Sequence, residues 1–361
     1  MTEAGRRGPT QTDIARLAGV STATVSRVLN QSPLVRPALR ARIEGVIAEL
    51  GYFPHAAARA LASRRSYTMG AVIPTLNNAI FAACINAFER ALQESGYTLL
   101  VAVSHYDQTA EITQVKRLVE RGVEGVLLVG NAHSARVYEM LERAGIPYVN
   151  TWAFDPRQRR PNIGFSNREA AFLLVDHLVA LGHRRIGMIA GITEGNDRAR
   201  DRLNAVRERL VEKGLSLDPD ATMEADYSIS EGRAALARLA EASRLPTALI
   251  GGNDVIALGL LFEARDRDID VPGRLSITGF DNLPLTEHVR PSITTIDVPA
   301  VAMGQGASAA LLSALERGRR PRSRKLDAPL LIRDTTAPPP PEGRMKTART
   351  RAAPSAPAGD L

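Results

Sequence analysis

From Tyr67 onward the chain alternates short apolar runs with longer amphipathic ones, and this alternation restricts the fold more than any other feature. MGAVIP, YTLLVAV, GVLLVG, PYVNTW, RIGMIAG, TALIGG, LSITGF and ITTIDV read as strands. CINAFERALQESG, ITQVKRLVERG and EAAFLLVDHLVALGH lie between several of them and read as helices. Strands spaced by helices in this way demand parallel sheets covered on both faces. Length and repetition give two such units, 67–161 and 162–291. The chain then returns to the first through ITTIDVP and MGQGASAALLSALERG, so that unit also takes 292–333. The expected body is α/β, two doubly wound parallel-sheet subdomains, with ligands bound in a cleft beyond the strands' carboxyl ends.

The residues before this body follow a different period. In TQTDIARLAGVSTATVSRVLNQSP, Thr10 and Asp13 form a capping-box variant at the start of a helix whose Ile14, Leu17 and Ala18 share a face. Gly19 supplies a turn, Ser21 an N-cap, and Val25, Val28 and Leu29 the inner face of a second helix. Thr22, Ala23, Thr24, Ser26, Arg27 and Asn30 are left pointing outward. A third helix runs from about Pro37 to Leu50, with Leu39, Ile43, Val46, Ile47 and Leu50 on one stripe and Gly51 as its stop. An ordinary helical hairpin packed on the body would also fit the periodicity. A helix-turn-helix, whose second helix enters the DNA major groove, fits the small and hydrogen-bonding outer face.

Charge separates these readings. Residues 1–66 hold ten Arg and four Asp/Glu, a net of +6, whereas residues 67–334 hold 32 Lys/Arg and 33 Asp/Glu, a net of −1. The last 27 residues add +2 and recover the chain's +7. A basic head on a near-neutral body is the footprint of contact with a phosphate backbone.

DIARLAGVSTATVSRVLN and VRPALRARIEGVIAELGYFPHAAARALASRR resemble the DNA-binding head and linker of the lactose-repressor (LacI/GalR) family of bacterial transcription regulators. The resemblance implies a homodimer on double-stranded, near-palindromic operator DNA, with Thr22, Ala23 and Arg27 facing base edges. Arg27 is equipped for a bidentate contact to guanine, and Ala23 offers only a methyl. Arg36 stands at the third helix's N-cap, where small hydroxyl residues are expected, so that cap is weak. Residues 54–66 are either an alanine-rich spacer or, as the resemblance implies, a hinge that is helical in the minor groove with Leu61 wedged between base pairs.

The body resembles the effector domain of the same family, itself like a periplasmic sugar-binding protein, and the likeness runs from Thr10 to about Arg333. It implies a sugar-like effector held by Phe81, Phe165, Arg200, Tyr227, Asn253 and Asp281. Arg200 and its basic neighbours favour a sugar acid, since guanidinium binds carboxylate well. Asn77 and Asn78 are either ligand contacts or caps of the following helix, Asp254 reads as an N-cap rather than a ligand group, and the role of Trp152 stays open.

The remaining sequence narrows the alternatives. Cys84, the single cysteine, sits on an apolar helical face and excludes a disulfide framework. The six His never meet Cys or each other at ligand spacing, so no metal and no cofactor is expected. MTEAGRRGPTQTD is no signal peptide and no apolar run reaches membrane length, which points to a cytoplasmic, nucleoid-bound protein. An exported transport protein would need that signal, and an α/β sugar enzyme would need a phosphate loop or an acid–base pair, of which none is found. A constitutive DNA-binding protein with a lost ligand site is a further alternative. Residues 1–9 are expected to be flexible, 10–53 to form the head, and 334–361, rich in Pro, Ala and Arg, to be disordered.

Overall fold

The computed structural model describes residues 9–29, 32–52, 65–242 and 245–341. The chain divides into two compact units, 1–67 and 68–361.

In the head, α1 (Gln11–Leu17), α2 (Thr22–Leu29) and α3 (Pro37–Leu50) close a core of Ile14, Ala15, Ala18, Val25, Val28, Val35 and Ile43. The capping box is reciprocal: the Asp13 N–H donates to Thr10 Oγ1 at 3.3 Å, and the Thr10 N–H donates to Asp13 Oδ2 at 3.0 Å. These Thr10 bonds hold the Asp13 carboxyl below its usual range. Gly19 takes φ +60°, the left-handed turn conformation, and the Thr24 N–H then donates to Ser21 Oγ at 3.2 Å. Leu17 departs from the sequence expectation: it is 53% exposed, because Ala15 and Ala18 occupy the inner face beside Ile14. Arg36 makes no side-chain cap bond to α3, as expected of its chemistry, and Pro37 begins that helix.

The body starts with β1 (Thr68–Ile73), α4 (Ala79–Gln93), β2 (Thr98–Val103), α5 (Gln108–Glu120), β3 (Gly125–Val129), α6 (Ala135–Arg143), β4 (Tyr148–Thr151) and β5 (Asn162–Gly164). It continues with α7 (Asn167–Ala180), β6 (Ile186–Gly191), α8 (Asp197–Glu212), β7 (Thr222–Ala225), α9 (Ile229–Glu241), β8 (Ala248–Gly251), α10 (Asp254–Asp266) and β9 (Ser276–Thr278). The chain ends with α11 (Leu285–His288), β10 (Thr295–Ile296), α12 (Ala300–Arg317), β11 (Arg324–Lys325) and β12 (Leu330–Leu331). One parallel sheet has the order β11-β5-β4-β3-β1-β2, and a second has the order β7-β6-β8-β9. Successive side chains of β1 show why both faces must be apolar: Ala71 and Ile73 pack with α4 and α12, and Val72 packs with α5 and α6. The second sheet is covered likewise, by the α7–α8 pair and the α9–α10 pair.

Three boundaries differ from the sequence expectation. Asn162–Gly164 pairs with β4 and β11, so it belongs to the first sheet and the second unit begins after it. Before α12 joins the first subdomain, the returning segment runs beside the second sheet, where Thr294 bridges Thr278 and Asp297 bridges Asp281. Residues 334–341 are ordered against the body: Thr335 is fully buried and its hydroxyl donates to Ile277 O at 2.7 Å. Threonine hydroxyls and main-chain groups make this last anchor, which composition alone does not reveal. The polypeptide therefore crosses between subdomains three times, after β5, before α12 and after β11.

Candidate functional site

Two surfaces carry the chemistry. On the head, α2 keeps Val25 and Val28 buried and presents Thr22, Ala23 and Arg27 to solvent, with Thr24 and Ser26 half-buried. This is the face expected to read base edges. Asn30 and Leu61 lie outside the described residues.

The second site lies where the carboxyl ends of both sheets meet. Five of the seven described non-glycine residues with positive φ stand just beyond those strand ends: His105, Tyr106, Trp152, Asp281 and Asn282. Such conformations persist where surrounding structure over-determines them, and they collect at binding sites. Trp152 (φ +60°) is buried against Phe81 with ring centroids 5.0 Å apart, and its indole N–H has no partner among the described residues. Phe165 is buried 6.0 Å from Phe280. Asp281, at φ +131°, lies under the Arg202 guanidinium's influence, and the Asn78 side chain hydrogen-bonds to its carboxyl from the other subdomain.

Arg202 is the centre of this arrangement. It is 5% exposed, donates from Nε to Asn167 Oδ1 at 2.8 Å and from Nη1 to Gly252 O at 3.0 Å, and stacks 3.6 Å over Phe280. Asn167 in turn donates to Trp152 O at 2.8 Å, so one chain of bonds joins the ends of β4 and β8. Arg200, the sequence candidate, is exposed on the other flank of α8 and takes no part. Residues 198 and 202, four apart, share one side of a helix, and residue 200 falls opposite them.

Arg198 and Asp197 fasten the halves together. Asp197 Oδ2 accepts the Asn131 N–H at 2.6 Å, while Arg198 Nη1 donates to Asp197 Oδ1 at 3.0 Å and to Val129 O at 3.2 Å. Gly130 (φ +90°) lies so close to both side chains that any Cβ there would displace them. The Arg198 side chain also hydrogen-bonds to Tyr106, whose ring faces Tyr227 across the cleft at 6.2 Å. The Tyr227 hydroxyl accepts from Asn196 Nδ2 at 3.0 Å. A cavity of about 20 Å³ lined by Tyr106, Gly195 and Arg198 remains beneath this clasp, room for about one water.

Burial raises the Asp281 carboxyl, against the opposing pull of Arg202, and burial likewise raises its neighbour Asp254. The same desolvation lowers Arg202 and raises the Tyr106 and Tyr227 phenols. Asn253, not Asp254, caps α10: its Oδ1 accepts the Ile256 N–H at 2.9 Å and its buried Nδ2 is unpartnered among the described residues. Asp254 is a structural group, accepting from Thr295 Oγ1 at 2.6 Å and from the Leu283 N–H at 2.7 Å. Asn78 is both cap and site residue, and Asn77 is exposed. Sequence reasoning missed Tyr106, Asn196, Arg198, Arg202 and Phe280. Tyr106 and Phe280 follow directly on strands β2 and β9, so the strand-end rule that found Asp281 applies equally to them.

Comparison with known proteins matches both the head and the body. Residues 10–55 match the model described as bacterial regulatory proteins, lacI family, and residues 175–336 match a periplasmic binding protein-like domain. Catabolite control protein A of Priestia megaterium is 32% identical over 296 residues, covering 81% of this chain and 89% of that protein. The chain belongs to the lacI family of bacterial regulatory proteins. The transcriptional repressor CytR of Escherichia coli K12 is 33% identical over 331 residues, covering 91% of this chain and 96% of that one. Among solved structures, a LacI-family transcriptional regulator from Silicibacter pomeroyi superposes with a TM-score of 0.84 at 28% identity, covering 91% and 99% of the two chains. A lac repressor dimer bound to operator and the anti-inducer ONPF gives 0.81 at 28% identity, covering 92% and 100%. This regulator is therefore a DNA-binding transcription factor whose body has the fold of a small-molecule receptor. No described helix is long and apolar enough to cross a membrane.

Proposed function

We propose that this regulator is a repressor that binds a near-palindromic operator as a homodimer, and that a small polyhydroxylated effector in the cleft sets its affinity. The observation that carries this is convergence. Asn78, Phe81, Tyr106 and Trp152 from one subdomain meet Asn196, Arg198, Arg202, Tyr227 and Asp281 from the other, alternating aromatic faces with polar groups. Sugars present apolar C–H faces and rings of hydroxyls, which such sets bind. A ligand touching both halves favours one interdomain angle, because its contacts differ between open and closed forms. On the head, Thr22, Ala23 and Arg27 take the base-reading role, with Thr24, Ser26 and Asn30 beside them and Leu61 as the minor-groove wedge.

Calorimetry against neutral sugars and sugar acids, with and without operator, tests the reading. One class should bind, with affinity changed several-fold by operator, since coupling is reciprocal at about 1–3 kcal/mol. Identical affinity in both conditions, or no binding at all, would sink it. The pH response separates the classes. Asp281 is pushed up to about 8, so it is largely neutral at pH 7 and leaves Arg202 uncompensated. A sugar acid held by Arg202 should bind best below that pH and weaken as Asp281 ionises. A neutral sugar, which gains an acceptor when Asp281 ionises, should show the opposite trend.

A further inference from the structure

At the edge of the first sheet far from the cleft lies a groove of about 930 Å³. Its lining includes Arg157, Arg159, Arg160, Arg319 and Arg320 but a single carboxylate, Glu142, which already accepts the Tyr148 hydroxyl at 3.0 Å. Arg157 pairs with Asp155, and Arg160 stacks 3.7 Å over Tyr138. Arg159, Arg319 and Arg320 are exposed and have no carboxylate partner among the described residues.

The charge is concentrated here to an unusual degree. Segments 155–161 and 317–325 together carry nine Lys/Arg and one Asp, +8, so the rest of 67–334, whose total is −1, carries −9. Holding so many guanidinium groups together costs self-repulsion, which a polyanion relieves. The position in the sheet indicates which polyanion. β1, β4, β5 and β11 are parallel members of one sheet, so Thr68, Tyr148, Asn162 and Arg324 begin at one edge. Groove residues 142–148, 157–161 and 314–321 immediately precede three of those starts, and the chain arriving from the head enters at the fourth. At about 4.8 Å per strand, the entry point is about 10 Å from the start of β4 and about 19 Å from that of β11.

We propose that this arginine groove is a second DNA contact, gripping the phosphate backbone of duplex that flanks the operator. The body thereby adds sequence-independent affinity to the sequence-specific grip of the head. The effector cleft, at the opposite strand ends, has no part in this contact.

The test uses the full chain and an operator selected from a random library, as a core duplex and as the same core extended by about 15 base pairs on each side. Wild type should bind the extended duplex about tenfold tighter, with a log–log salt slope steeper by about two units. The triple variant Arg159→Ala, Arg319→Ala, Arg320→Ala should lose that gain, bind the core duplex normally and melt as wild type does. A charge-matched control, Arg207→Ala, Arg238→Ala, Arg265→Ala, on exposed sites of the second subdomain, should keep it. The proposal fails if extension adds nothing, if the control loses the gain equally, or if the groove variant also loses core binding. It fails too if the groove variant binds both duplexes as wild type does. Binding of a phosphorylated acidic peptide to wild type but not to that variant would then assign the groove to a protein partner.

Discussion

The head and the cleft solve opposite problems with similar residues. Every group on the head's outward face comes from one helix of eight residues, Thr22–Leu29, and its neighbours, so spacing along the chain equals spacing in space. The cleft gathers Asn78 and Asp281 into contact across two hundred residues of chain, and each arrives on its own strand end. A local site is set by helix period and capping. A dispersed one exists only once two sheets have folded, and its groups owe their burial and shifted protonation to that assembly.

The sharpest way to break this contrast is to remove one guanidinium from α8 and compare it with its neighbour. Arg202→Met strips donors from the buried Asn167 side chain and the Gly252 carbonyl and removes the guanidinium stacked on Phe280, so unfolding should become easier by about 3 kcal/mol. The effector response should vanish while the free protein keeps its operator affinity. Arg200→Met should change neither property, since Arg200 is exposed. Denaturant titration and anisotropy with labelled operator read both, and equal losses from the two variants would show that the cleft assignment is wrong. On the head the effect is smaller and confined to DNA. Arg27→Ala should cost about 2 kcal/mol of operator binding and relax preference at one symmetric base pair. An unchanged selected sequence would place Arg27 on phosphate instead. Smallest is Thr10→Ala, which removes the capping box and should destabilise the head by about 1 kcal/mol. Hydrogen exchange should rise in α1–α3 and stay constant in the body, and a body-wide rise would contradict the two-unit organisation.

Legibility in the sequence follows the same division. The three head helices, their caps and the strand–helix alternation of the body are local patterns, and the structure has them where the pattern puts them. The short strands Asn162–Gly164 and Thr222–Ala225 were not legible, because three or four residues carry too little periodicity and polar side chains interrupt them. Arg200 shows the deeper limit. Ala199, Leu203, Val206 and Leu210 mark the apolar stripe of α8, and arginines flank it on both sides. Only the placement of Gly252 and Phe280, set by strands β8 and β9 that come about fifty and eighty residues later in the chain, decides which flank enters the cleft. The positive φ of Trp152 is likewise a product of assembly and has no signature in its neighbours.

The three crossings between subdomains restrict what any effector can say to the head. A single connection would leave two lobes free to slide, twist and swing. Three roughly side-by-side straps, two of them tied to each other by the paired strands β10 and β12, resist sliding and twisting because each would have to stretch or shear differently. What survives is close to one degree of freedom, a swing about the line of the straps. Ligands of different shape must then differ in how far they set that swing, and not in its direction. The receptor reports chemistry to DNA as the reading of a single dial.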